Sequence, residues 1–501
     1  MRLGFSTAFV AALLATTAPA AAETPNRAQL AASVKSSHDA NLKRLQDWIA
    51  LPTIAAENRN TPQGAEHMRQ MLLDAGFQKA KIVQTSGVPG VFATLDAGAP
   101  TTLGIYFMYD VKQYVDSEWS SPPLAGQLVD RPEGKAIVGR GAVNQKGPEV
   151  AFLAALHAFK ATGRKLPVNL VLVAEGEEEI ASPHFKQIVS DPEAAAALEK
   201  TIGVIIPGAG QESNGATSID LGAKGVIEVQ LISSGENWGR GPAKDVHSSL
   251  KAIVDSPAWR LVKALNTLVS EDGQTPAIDG WFENVKPLTP RQIELIDQGT
   301  ANSNEADVKK QLGVKHWYKD EDYATASRRL AAQPTVNIEG LVSGYTGPGG
   351  KTVLPGRAEA KLDLRLVPDM TREEAETKLK AHLAKRGFSD IIVNVSGGYS
   401  PTETDENSLL VRSQIAALKK AGVEYALNPR TAGSWPGVTF TGPPLKLAAD
   451  GFGLGTGGGA HAPNEWYLID SANPKVAGLD ESAMFYVDYL YDLAAMAKAR
   501  N

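Results

Sequence analysis

The 501-residue sequence contains no cysteine. That absence excludes disulfide bridges and a lipid-anchored cysteine. Also missing, beyond the first two dozen residues, is any apolar run near the roughly 20 residues needed to span a bilayer. There is no block of lysine or arginine, and with a formal net charge of -6 the chain offers no electrostatic footprint for nucleic acid or an anionic membrane. Internal repeats and low-complexity tracts are absent as well. Small molecules or peptides are left as partners. What is present is ordinary for a globular protein: 43% hydrophobic and 21% charged residues, over a length too great for one compact core. Two domains are expected. The start of the chain has the order of an export signal, with Arg2, the apolar "FVAALLA", then small residues "APAAA" and a cut expected after Ala22. Residues 1–22 are therefore set aside from the fold, and a periplasmic or secreted location is expected.

From about residue 27 to 220, helical segments alternate with short apolar strands such as "GVFATLD", "LGIYFMYDV", "VNLVLVAEG" and "IGVIIPGAG". This rhythm predicts a mainly parallel sheet flanked by helices, with ligands beyond the carboxyl ends of its strands. Between about 223 and 404 the pattern becomes amphipathic, as in "GVIEVQLIS", "SPAWRLVKALNTL" and "AEAKLDLRLVP". We read a second, α+β domain inserted into the first. The stretch from about 275 to 330 reads as polar and loop-rich. The α/β pattern returns from about 405 to 501, so the first domain, 23–222 and 405–501, is discontinuous.

Four loops hold residues suited to chemistry. "VLVAEGEEEIAS" places Glu175, Glu177, Glu178 and Glu179 just past a buried strand, where carboxylates repel unless a cation or a shared proton intervenes. A solvated acidic turn is the plain alternative. "GRGAVNQKGP" offers close backbone approach at Gly139, Gly141 and Gly147, with Asn144 and Gln145 displayed by the turn. "GTGGGAHAPNEW" and "DVHSS" put His461 and His247 on polar loops, whereas His157, inside an apolar helix, reads as structural. "GYTGPGGKT" is no phosphate loop, because Tyr345 holds the first glycine position and no strand leads into a helix there. "GFGLGTGGG" likewise lacks the strand-turn-helix setting of a dinucleotide site.

In this order, "MYDV…EWSSPPL", "GRGAVNQKG", "EGEEEIAS", "DVHSS", "DGWFENVKPLT", "LRLVP" and "GAHAPNEW" resemble the di-zinc hydrolase family of glutamate carboxypeptidase, aminoacylase and the carnosine-type dipeptidases. The resemblance covers nearly the whole chain after the signal. It implies an α/β zinc-exopeptidase domain with an inserted lid or dimerisation domain, a homodimer in the family manner, and substrates that are small peptides or N-acyl amino acids. It also implies roles. Glu178 matches the general base, His247 a lid histidine that stabilises the oxyanion, and Arg365 the residue that grips a substrate carboxylate. Asp110 matches the strand-end aspartate that orients a metal-binding histidine.

The same resemblance shows departures. The histidine expected before Asp110 is Met108, the bridging aspartate is Asn144, and the aspartate expected after "IGVII" falls on Pro207 or Gly208. Both private ligands of one metal are thus replaced, while Glu179 and His461, those of the other, are kept. The resemblance leaves room for one zinc held by Glu179, His461 and Asn144, and none for a second. Three readings follow: a hydrolase with one metal; a metal-free hydrolase in which Lys112, Lys146, His247 or His461 supplies the positive charge; or a catalytically silent protein that binds carboxylate-bearing peptides.

Overall fold

The computed structural model describes residues 26–301 and 303–500; the expected signal at 1–22 lies outside them. Its centre is a six-stranded sheet whose neighbours run Lys79–Val83, Gly90–Leu95, Asn169–Glu175, Thr102–Met108, Val204–Pro207 and Ala449–Phe452. The last four strands of that order are mutually parallel, and the first two add antiparallel pairs at one edge. The sequence of Thr102–Met108 explains why it is central. Leu103, Ile105 and Phe107 enter the large core on one face, while Tyr106 enters a second core on the other. Such two-faced burial is what a near-continuous apolar strand requires. The helix Gly147–Ala161, predicted from "EVAFLAALHAF", packs against the C-terminal helix Leu479–Arg500 on the first face. The short helices Phe185–Val189 and Pro192–Leu198 cover the second.

A separate antiparallel sheet orders Thr335–Ser343, Arg357–Leu366, Gly225–Ser234 and Ile392–Tyr399. The helices Pro257–Asn266 and Arg372–Lys385 bury its apolar face through Leu261, Leu265, Leu379 and Leu383 against Ile227, Leu231, Leu362 and Leu364. This sheet and its two helices lie between residues 225 and 399.

The stretch 275–330 differs from its loop-rich reading. It carries helices at Pro290–Ala301, Glu305–Leu312 and Tyr323–Ala332. Proline opens the first, where a missing N–H costs nothing, and Asn304 and Asp322 cap the other two through Ala306 N–H and Thr325 N–H. Polar composition hid them because two of these helices bury little of their surface. Among the described residues no helix is long and apolar enough to cross a membrane.

Candidate active site

The parallel pairing of Thr102–Met108 with Asn169–Glu175 sets Met108 opposite Glu175, so the two chemistry-bearing loops leave the sheet side by side. Beyond Met108 the chain turns, and the buried Asp110 accepts the backbone N–H of Glu178 at 3.2 Å and of Glu179 at 3.0 Å. The strand-end aspartate thereby clamps the 3₁₀ turn Glu178–Ile180. The resemblance gives Asp110 a place in the catalytic machinery as an orienting aspartate; in the structure both its oxygens hold this clamp. Burial, then the neighbouring Glu179, pushes its carboxyl up to about 8, against the pull of the N–H donors.

The four glutamates diverge. Glu175 is buried and accepts the hydroxyls of Tyr106 at 2.8 Å and Ser182 at 3.0 Å, and burial pushes its carboxyl well up. Glu177 lies 2.8 Å from His184 Nδ1. Glu179 Oε1 accepts the Asn144 amide N–H at 2.7 Å, and its Oε2 lies 3.1 Å from His461 Nε2 and 3.5 Å from Lys112 Nζ. Lys112 also donates to the Glu179 carbonyl. Glu178 makes no side-chain hydrogen bond among the described residues and keeps part of its surface open. Burial raises its carboxyl well above the ordinary range, Glu179 and Asp110 adding to the shift and Lys112 opposing it. The repulsion expected of this loop is relieved by separate partners for three of its carboxyls.

The glycine loop is anchored by a residue that sequence reading passed over. Glu465, from "APNEW", is buried and accepts the N–H groups of Gly141 at 2.9 Å, Val143 at 3.0 Å and Asn144 at 2.9 Å, together with the Arg140 guanidinium at 2.9 Å. Arg140 also donates to the His461 carbonyl at 3.3 Å and lies over the Trp119 ring. One ion pair therefore places both Asn144 and His461, whose side chains meet at 3.0 Å. At Gly141, where φ is 84°, a Cβ would stand 2.6 Å from Val111 Cγ1, so this turn admits only glycine. Its signal in the sequence was present, but nothing local says which acid reaches it across more than 300 residues.

Other expected residues are placed as follows. Lys146, a candidate cation for Glu178, turns away: it is fully buried, donates to the carbonyls of Trp48 and Leu51 at 2.8 and 3.1 Å, and burial lowers it to about 7. Gln145 has a buried Oε1 without a partner. Met108 is buried and its N–H donates to Glu149 at 2.8 Å. Pro207 and Gly208 pair with Phe452, and neither brings a side-chain donor. His247 is exposed on the inserted domain, its ring between Ser249 at 2.8 Å and Thr352 at 3.3 Å rather than at the acidic loop. Arg365 bridges the two parts of the molecule, donating to Ser434 at 2.9 Å and Asp363 at 3.1 Å. Tyr399, which sequence reading also missed, ends the strand Ile392–Tyr399 buried beside Ala181, and the Glu178 carboxyl acts electrostatically on its hydroxyl.

The donors do not fit a metal pair. Among the described residues no three His, Cys, Asp or Glu side chains are grouped to hold an ion. Glu179, His461 and Asn144 do come together, as the one-zinc reading required. Yet Asn144 turns its amide nitrogen to the other two, as an ionised neighbour demands, and Lys112 shares the remaining Glu179 oxygen. Asn144 donates to Glu179, and His461 Nε2, near both the amide nitrogen and Glu179 Oε2, can hydrogen-bond only one of them.

The family profile described as "Peptidase family M20/M25/M40" matches residues 109–484. The chain is 26% identical over 361 residues to the Cys-Gly metallodipeptidase of Candida albicans, covering 68% of this chain and 72% of that protein. It is 25% identical over 403 residues to human Beta-Ala-His dipeptidase, covering 72% and 73%. The crystal structure of an M20 family metallo-carboxypeptidase from Sulfolobus solfataricus superposes with a TM-score of 0.79 at 32% identity, over 91% of this chain and 99% of that one.

Proposed function

The chain belongs to peptidase family M20/M25/M40 and is a hydrolase acting on peptide bonds, and from that premise we propose that it cleaves dipeptide-sized substrates or N-acyl amino acids with Glu178 as general base. The observation that carries the reading is the singling-out of Glu178. Of four clustered glutamates it is the one without a neutralising hydrogen bond, and its charge acts on the Tyr399 hydroxyl of the inserted domain. A carboxyl raised by its surroundings holds a proton more readily than an ordinary glutamate, which suits a group that must take one from water and return it to a leaving amine. The relatives support a small substrate, since two of them are named as dipeptidases. Arg365 stands where its forked guanidinium can hold a free carboxylate, at the junction of the two parts.

His247 completes the reading only if a second copy brings it in, because within one chain it lies apart from Glu178. A homodimer through the inserted domain is consistent with the edge strand Thr335–Ser343, on which Ile338, Leu341 and Val342 are exposed. Export belongs to the same proposal, resting on the sequence of residues 1–22 alone.

The test is turnover of a dipeptide and N-acyl amino acid panel by the wild type and Glu178→Gln. Loss of about 10²- to 10⁴-fold in kcat with binding retained is expected for removal of a general base. Unchanged turnover overturns the assignment. Saturable binding without turnover in the wild type makes the protein a silent binder.

A further inference from the structure

Glu179 has nitrogen donors on every side. Its side chain is 3% exposed, so its negative charge is stable only with a cation within reach. Asn144 supplies a neutral N–H, and His461, half exposed, supplies a positive charge only when protonated. Lys112 is the permanent candidate. It grips Glu179 twice, at the carboxylate and at the main-chain carbonyl, two residues beyond the aspartate that clamps the same turn. Other nearby cations are committed elsewhere: Arg140 to Glu465, Lys146 to two carbonyls, His184 to Glu177.

We infer that Lys112 is the resident cation of this site, its ammonium giving Glu179 the positive charge that a metal gives in metallopeptidases, so that the acidic loop assembles and works without zinc. A zinc ion approaching Glu179 must displace that ammonium and reverse the Asn144 amide. It then has only the His461 ring and the neutral Asn144 amide oxygen to complete its side-chain ligands, a weaker set than one with a shared carboxylate. Lys112 is thus a positioning residue. It acts through Glu179 on Asn144 and His461, and through the turn on Glu178. The catalytic half of the inference rests on the base role proposed for Glu178; the assembly half stands on the Glu179 contacts alone.

The experiment compares the purified wild type with Lys112→Gln, Lys112→Arg and the double variant Lys112→Gln/Asn144→Asp. Zinc content after dialysis against excess zinc, the zinc-induced shift in melting temperature, and dipeptide turnover with and without chelator are measured. The wild type is expected to retain far less than one zinc per chain, to show no zinc-induced melting shift, and to turn over equally with chelator. Lys112→Gln loses most turnover and Lys112→Arg restores it. The double variant, which removes the ammonium and adds a carboxylate ligand beside Glu179, gains zinc and melts higher in its presence. One chelatable zinc per wild-type chain whose removal abolishes turnover overturns the inference, as does a Lys112→Gln protein equal to wild type in stability and turnover. If Lys112→Gln fails to fold, the wild-type zinc content and Lys112→Arg still decide. A wild type that turns over nothing defeats the hydrolytic reading, while zinc uptake and melting still judge Lys112.

Discussion

Glu465→Gln tests the anchor on which the whole site is hung. The carboxylate accepts two donors on each oxygen: Val143 and Asn144 N–H on Oε1, Gly141 N–H and Arg140 on Oε2. Glutamine keeps the shape but turns one oxygen into an NH₂ group. Whichever way the amide faces, two buried donors then meet another donor. The substitution also leaves Arg140, 3% exposed, without its counter-charge. Breaking a buried ion pair from one side costs about 3–5 kcal/mol. That is a large part of the roughly 5–15 kcal/mol that holds a typical domain. Denaturant unfolding of the α/β domain, followed by near-ultraviolet signal from its tryptophans, measures the loss. Arg140→Met removes the other partner, and the double variant should fall short of the summed single losses by about 0.5–3 kcal/mol, since the two side chains are one unit. Turnover should fall with Glu465→Gln even in conditions where the protein stays folded, because Asn144 and His461 lose their common support. A fully stable Glu465→Gln, or singles that simply add, would refute the anchoring argument.

Three further outcomes follow from the same structure. Gly141→Ala should destabilise by about 1–3 kcal/mol, from the positive φ and the close approach of Val111, and an unchanged unfolding midpoint would contradict the turn geometry. Arg365→Lys should raise KM for dipeptides about tenfold or more with kcat largely kept, because a forked charge-assisted contact becomes a single one; unaltered KM removes Arg365 from substrate binding. Asp450 is buried beside Gln414, with Oδ2 unpartnered, and burial pushes its carboxyl from the ordinary 3.8 up to about 8. The native state therefore keeps a proton that the unfolded chain releases, so its contribution to stability is whole below about pH 4 and is lost as pH rises to about 8, by up to about 1.4 kcal/mol per unit. Asp450→Asn should flatten that decline in pH-resolved melting; an identical slope would show that the group does not titrate there.

The strand rhythm, the loops that carry chemistry and the change of pattern near residue 223 were legible because each depends on neighbours in the chain. A strand buried on both faces reads as an apolar run, and Thr102–Met108 is such a run. The helices within 275–330 were not legible, since polar surface helices resemble loops in composition and their caps are single residues. At the site, the sequence named Asp110, Glu178, Glu179, Asn144 and His461. It could not say that Asp110 clamps a turn, that Lys146 faces away, or that Lys112 rather than another cation meets Glu179. Those outcomes depend on which strand ends lie adjacent and which side chain fills a given direction, and the partners are 67 residues apart for Lys112 and Glu179 and 325 for Arg140 and Glu465. Local pattern determines which residues are delivered to the strand ends. Only the packed sheet decides which charges are left facing one another there, because electrostatic pairing in a buried site is settled by a few ångströms that no spacing along the chain encodes.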